Sequence, residues 1–413
     1  MVGIALRIWL ALLPALLGGC DSAGFGKPPI DAEWHRRTLV TSHLAPWLAH
    51  APTDSGLYRA DFSRTWQPKG AAGADLTVQS RLVYAFIAGY EVTGDRRYLQ
   101  AATTGADFLL AHFHDPVHGG FFNRVAADGK VVDDAKLSYG HAFALFALSH
   151  MARVTKDERY RSAALRTWQE IDRGLRDPLG GFAAKASRSF AAAPGKNTQN
   201  PVMHMFEALL ALCEATGDPD ALRGATALGN FVLYKLLQGY PDGSAAIPEW
   251  YDDQWRPLPT AEQGGYTDIG HQFEWSHLLL KAQEAGLAGV FPAASGRLLQ
   301  YALKVGYDED NGGIYDRAYP EGKVDRDKYW WQQSECLRAL IAAGANGGGG
   351  ALWRRYEQTL ALVRAEFLDE QNGGWRFADK RLCSQRGCPD SQLDPYHMAG
   401  MHLAAIRAAE GRR

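Results

Sequence analysis

His271 and Glu274 stand three residues apart in the stretch YTDIGHQFEWSHLLL, and His204 and Glu207 repeat that spacing in QNPVMHMFEALLAL. In a helix, positions i and i+3 share a face, so each carboxylate can orient an imidazole or a neighbouring donor. An imidazole titrates close to neutral pH and can serve first as base and then as acid. Polar residues interrupt apolar helical patterns elsewhere too: Arg81 in QSRLVYAF; Lys136, Tyr139 and His141 in KLSYGHAFAL; Asn200 just ahead of His204. KYWWQQSECLRAL contributes Trp330, Trp331 and Glu335, and DPYHMAGMHLAAI contributes Tyr396, His397 and His402. Burying this many polar groups costs free energy unless they pair with one another or with a polar ligand. A lone histidine on an apolar face is usually a satisfied core residue, but six segments doing this together mark a candidate site. Glu335 reads as a structural partner for helix ends, and His277, off the face of His271, reads as structural. His and Glu at this spacing are also metal donors. There is no HExxH and no evident third and fourth ligand, so no metal is assigned.

These residues need elements to bring them together, and the sequence has a beat. Gly-Gly or Gly turns at Gly120, Gly181, Gly243, Gly313 and Gly374 recur about every sixty residues, and TDSGLY at Gly56 supplies a sixth at the front. Thr93-Gly94-Asp95, Thr155-Lys156-Asp157 and Thr216-Gly217-Asp218 keep the same period. Between markers the apolar residues recur at helical spacing. The TGD-like markers predict short helix-to-helix turns whose Asp or Thr caps the second helix. The Gly-Gly markers are expected to end the second helix of each pair. Six pairs with long loops at one point of the repeat predict an all-α (α/α)6 barrel of six helical hairpins, with short β-hairpin loops at one end. The polar inner helices favour closure around a central pocket over an open solenoid.

The chain has 413 residues, 46% hydrophobic and 22% charged, enough for a large core. Its formal net charge is -2, and no Lys/Arg run or acidic tail points to nucleic acid or a charged partner. MVGIALRIWLALLPALLGGC has one cation, Arg7, and an apolar run too short to span a bilayer comfortably. Its Leu-Gly-Gly-Cys ending resembles a bacterial lipobox. Residues 1–19 are therefore expected to be a signal peptide, with Cys20 lipidated, residues 20–33 a tether and 34–413 one barrel domain. The rival is an ordinary secretory signal. Cys383 and Cys388 flank a turn-like SQRG and are candidates for a small disulfide outside the cytosol. Cys213 and Cys336 lie in apolar helical patterns and read as inert core thiols. The expected location is periplasmic or cell-surface, with the membrane touched only through the lipid, as monomer or homodimer.

SRLVYAF, GGFFNRVAADGKVVDDAKLSYGHAFAL, NPVMHMFEALLAL, GHQFEW, GGIYDRAYPEGKV, KYWWQQSE and YHM together resemble the N-acylglucosamine 2-epimerase family, which includes cellobiose 2-epimerases and mannose isomerases. They lie in the family's order over roughly residues 35 to 408. The resemblance implies an (α/α)6 barrel acting on a mono- or disaccharide, without redox cofactor or metal. It implies ring opening, removal of the C2 proton to give an enediolate, and reprotonation on the other face of C2, or at C1 to give a ketose. By resemblance His271 and His397 are the acid–base pair, Arg81 faces the oxyanion and Glu274 assists ring opening. Tyr139, Asn200, His204, Glu207, Trp330 and Trp331 contact the sugar. His141 stands where many relatives carry Gln, so a third imidazole is expected in the pocket. DSQLDPYHMAG departs from the Gly-Pro-x-Lys stretch of many epimerases, and the cysteine loop is also unlike relatives. A glycoside hydrolase on the same barrel would need paired carboxylates, for which Glu207, Glu249, Glu274 and Asp268 are available. The predominance of histidine favours proton transfer at carbon. A non-catalytic sugar-binding lipoprotein is the third alternative.

Overall fold

A computed structural model describes residues 28–70, 73–193, 195–287 and 290–412. The signal segment and Cys20 lie outside the described residues. Six inner helices ring the axis: Leu76–Thr93, Ser138–Thr155, Gln199–Thr216, Ile269–Glu284, Trp330–Ala345 and Tyr396–Ala409. Each of the first five is followed by an outer helix running back: Arg96–Phe108, Glu158–Leu175, Pro219–Phe231, Phe291–Gly306 and Gly349–Leu362. Wider helical turns prolong the first, third and fifth of these, for example over Leu109–Phe113. The sixth inner helix takes its outer partner from the other end of the chain. That partner, residues 32–50, begins at Ala32, two residues inside the expected tether. Each inner helix contacts the next, and the sixth returns to the first, so the ring closes.

Burial explains the two helix types. In the second inner helix every residue from Gly140 to Ala152 is buried, because neighbours pack on all sides. Its outer partner buries only one stripe, including Tyr160, Ala163, Ala164, Thr167, Trp168, Ile171 and Leu175. The inner-to-outer turns form as the markers predict. Gly94, Lys156 and Gly217 adopt the left-handed conformation, and Asp95, Asp157 and Asp218 cap the outer helices beyond them. The Gly-Gly markers behave differently from expectation. They form tight turns in the loop beyond the outer helix rather than its cap: the Asp115 amide donates to the Gly120 carbonyl, enclosing Gly119 and Gly120 at positive φ.

These loops build a collar at one end. The segment entering each of the first four inner helices pairs with the hairpin of the next repeat: Gly73 with Ala126, Lys136 with Ala186, Asn197 with Tyr251, and Thr267 with Ala318; a single bridge, Tyr329 with Ala378, precedes the fifth. The collar thus fixes the start of these five inner helices, and the polar residues sit in the first two turns. Lys136 turns away from the axis and pairs with Asp115, both side chains fully buried. Lys328 and Asp308 form a similar pair further round the ring.

His141 is a correction. Its ring is fully buried; Nε2 accepts from the Phe121 amide at 2.9 Å and Nδ1 lies 2.8 Å from the Leu137 carbonyl. Gln79, Gln272 and Gln333 bond the loop amides of Tyr58, Ile247 and Ile314 in the same way. An imidazole can replace a glutamine there because both offer an acceptor and a donor. His141 therefore staples a loop and does not enter the pocket.

The seam closed by the chain ends holds a second histidine group. His35 Nδ1 is 2.8 Å from His402 Nδ1, and its Nε2 is 2.7 Å from the Tyr356 hydroxyl. His43 is buried beside His402 with no hydrogen bond to either ring nitrogen among the described residues. Cys383 and Cys388 are bonded to each other, and Cys213 and Cys336 are buried free thiols.

Candidate active site

Inside the collar lies a cavity of about 550 Å³. Its wall includes Arg81, Tyr139, Asn200, His204, His271, Trp330, Trp331 and His397, all brought together from the first two turns of six helices. Leu137, Thr198, Glu249, Trp250, Tyr266 and Asp268 complete much of the lining from the collar.

The two imidazoles flank one indole, with His271 at 4.9 Å and His397 at 5.5 Å from Trp331 between ring centres. Each is held through Nδ1 by a buried carboxylate: His271 by Glu249 at 2.7 Å and His397 by Glu335 at 2.8 Å. Nε2 of each ring has no protein partner among the described residues. Asp268 caps the fourth inner helix on the His271 amide. Glu249 is fixed by Thr198 at 3.1 Å and by the Gln199 amide nitrogen at 2.8 Å, and Gln199 accepts from the Trp275 indole.

The environments push the two rings apart. Burial disfavours the His271 imidazolium, but the charges of Glu249 and Asp268 outweigh it and raise the ring to about 10. His397 is lowered, because burial exceeds the opposing pull of Glu335 and Arg81 adds like charge. His204 is lowered to about 4, chiefly by burial. Asp268 is raised to about 6 by burial, with Glu249 and Asp316 adding to the shift.

Arg81 donates to the Tyr139 hydroxyl at 2.7 Å and to Asp394 at 3.1 Å, and lies 4.3 Å over the Phe143 ring. Asp394 belongs to the stretch that departs from the epimerase pattern. Asn200 Oδ1 is buried without a protein partner among the described residues.

Three expectations change. Glu274 is fully buried behind the wall and is not the partner of His271; Glu249 is. Neither Glu274 oxygen has a hydrogen bond among the described residues, and burial with nearby Glu335 and Glu207 raises its carboxyl well above the usual range. Glu207 also lies behind the pocket, bonded to the Tyr396 hydroxyl and 3.4 Å from His204 Nδ1. Glu335 holds His397 rather than serving a helix end. Glu249, now central, lies on a loop, where helical spacing could not single it out; its one signal is a carboxylate in the apolar stretch AAIPEWY. His277 is buried, with Nε2 at 3.8 Å from Glu335.

His204, Glu207 and Glu274, and likewise Glu274, Glu335 and His397, bring possible cation ligands within 4.8 Å of one another. The Arg338 guanidinium already stands among them, 3.1 Å from both Glu335 oxygens and 3.6 Å from Glu207.

The sequence profile described as N-acylglucosamine 2-epimerase (GlcNAc 2-epimerase) matches residues 56–401. A protein of Rhizobium meliloti named mannose-6-phosphate isomerase is 32% identical, over 83% of this chain and 90% of its own. Cellobiose 2-epimerase of Bacteroides fragilis is 25% identical over 90% of this chain and 97% of its own. The crystal structure of a D-mannose isomerase superposes with a TM-score of 0.82 at 21% identity, covering 93% of this chain and 99% of that one.

Proposed function

The chain belongs to the N-acylglucosamine 2-epimerase family and is a sugar 2-epimerase or isomerase, and we propose that it interconverts the C2 epimers of a free or reducing-end aldose. The reading rests on one observation: two imidazoles over one cavity, each oriented by its own carboxylate, with their protonation pushed in opposite directions. Such a split separates an acid from a base. At neutral pH His397 is the neutral ring, able to take the C2 proton on Nε2 once the sugar is open. Glu335, on Nδ1, stabilises the imidazolium that forms. His271 is the imidazolium, able to return a proton to the other face of C2. The Arg81 guanidinium favours the negative charge that grows on the enediolate oxygens. Asn200 Oδ1 offers an acceptor to a sugar hydroxyl, and Trp330 and Trp331 offer flat apolar faces. Tyr139 and His204 supply further polar contacts from the wall.

The test is a D₂O incubation of purified protein with cellobiose, mannose, glucose, N-acetylglucosamine and mannose 6-phosphate, with the products read by NMR. A 2-epimer carrying deuterium at C2 supports epimerisation. A ketose assigns the isomerase alternative. Absence of any C2 exchange across the panel would count against the reading.

We further propose an exported protein held to a membrane through lipid on Cys20, supported by the Leu-Gly-Gly-Cys ending. Among the described residues no helix is long and apolar enough to cross a membrane. Cys20→Ala should abolish labelled-lipid incorporation and release activity from the membrane fraction. Incorporation surviving that change would refute the anchor. Sedimentation of the barrel domain decides between monomer and homodimer.

A further inference from the structure

His271 and His397 share one construction, Nδ1 against a buried carboxylate, yet lean toward opposite protonation states. The carboxylates differ in what stands behind them. Glu249 is held by neutral groups, the Thr198 hydroxyl and the Gln199 amide. Glu335 is gripped by the Arg338 guanidinium one turn along its own helix, at 3.1 Å to each oxygen. A carboxylate already paired with a guanidinium exerts less net field on the imidazole beyond it.

Other charged and titratable groups surround the two rings. Arg81 and Asp394 act on His397 from the first inner helix and the sixth-helix approach, and His204 and Glu274 approach from the third and fourth. Asp268 and Glu274 act on His271. Tyr84, Glu207, His277, Lys281 and Tyr396 surround Arg338. Within this set Arg338 is the one buried arginine or lysine bonded to a carboxylate that holds either imidazole among the described residues. It also lines a second cavity of about 160 Å³ at the far end of the barrel, so it enters the layer from behind and does not touch the sugar cavity.

We propose that Arg338 is a positioning residue that assigns the acid–base roles: by neutralising Glu335 it leaves His397 as the resting base, while His271, whose carboxylate has no cation, is the resting acid. This rests on the two-histidine reading above. An arginine present only to balance buried carboxylates would affect stability and leave the pH limbs in place.

The test is the pH dependence of kcat/KM with the best substrate, together with NMR titration of labelled histidine rings. In the wild type the acid limb reports His397 and the alkaline limb His271. Arg338→Met should move the acid limb and the His397 titration upward by about one pH unit or more, so that kcat/KM falls most below pH 7. Arg338→Lys, keeping the charge, should hold the limb near its wild-type place. Should Arg338→Met fail to fold, Gln199→Lys tests the same logic on the other ring. A cation beside Glu249 should move the alkaline limb and the His271 titration downward. A folded Arg338→Met with an unmoved His397, or a folded Gln199→Lys with an unmoved His271, overturns the proposal. The ring titrations need no turnover, so a protein inactive on every sugar would sink the functional reading while Arg338 is still judged.

Discussion

Replacing Glu249 with Gln removes the charge 2.7 Å from His271 Nδ1 and keeps the shape. The distance between the ordinary imidazole value of 6.5 and about 10 corresponds to about 5 kcal/mol in favour of the imidazolium. At pH 8 a ring titrating at about 10 is about 99% protonated, whereas one at 6.5 is about 3% protonated. Burial pushes the ring down, and after Glu249→Gln only the Asp268 and Glu274 charges still raise it, so the variant should lose up to about thirtyfold in kcat/KM at pH 8 and recover part of it at pH 6. The alkaline limb should move down from near 10 toward neutral pH. Stability changes with the same sign. A ring raised above its unfolded value contributes stability that is complete below pH 6.5 and disappears as pH climbs toward 10. The stability gap between wild type and variant should therefore be largest in mild acid and shrink in alkali. Profiles over pH 5–10, with denaturant melts at each pH, give both answers. An alkaline limb unchanged in a folded Glu249→Gln protein would refute the assignment of Glu249 as the group that charges His271.

Other substitutions test neighbouring claims. His271→Asn and His397→Asn should each abolish C2 exchange while circular dichroism and melting stay near wild type; near-normal turnover in either would disprove the two-histidine assignment. His141→Gln should keep both activity and stability, whereas His141→Ala should cost about 1–3 kcal/mol by stranding the Phe121 amide; a specific rise in KM for His141→Gln would return that ring to the pocket. The seam rings His35 and His43 are lowered to about 3, mainly by burial. Rings lowered in this way give stability that is present above pH 6.5 and lost as pH falls toward 3. His43→Leu should therefore flatten the acid side of the melting-temperature profile and raise neutral stability by about 1 kcal/mol. A steeper acid loss in that variant would contradict the seam account.

Much of the fold and of the candidate site is legible in the sequence. The sixty-residue beat placed the inner helices, and the capping turns formed where Thr-Gly-Asp predicted them. His271, His397, Arg81, Tyr139, Asn200, His204, Trp330 and Trp331 do converge on one cavity. What sequence spacing misassigned were the carboxylates. Glu274 lies one turn from His271, yet it points behind the wall. Glu249 arrives from a collar loop whose position depends on strand pairing with the preceding repeat. Helical periodicity reports which face a residue shares and says nothing of a loop folding back over that face. His141 misled for a related reason: the chain presents a histidine at the level of the site, and only the partner amide shows which way it turns.

The ring is completed by residues 32–50 against Tyr396–Ala409, the two extremities of the described chain. During synthesis the first of these helices is made before any inner helix exists and meets its partner only when nearly all of the barrel has emerged. Until then its apolar stripe has no permanent cover, and the last inner helix has no outer wall. Closure is thus a late, long-range step, and long-range steps are slow and leave sticky surface exposed. Loss of the final helix would leave an open curl of five hairpins with an unpaired leading helix. Linking Ala32 to Ala409 and cutting at an inner-to-outer turn, such as Gly217, would turn the seam into a local hairpin and bring this late step forward.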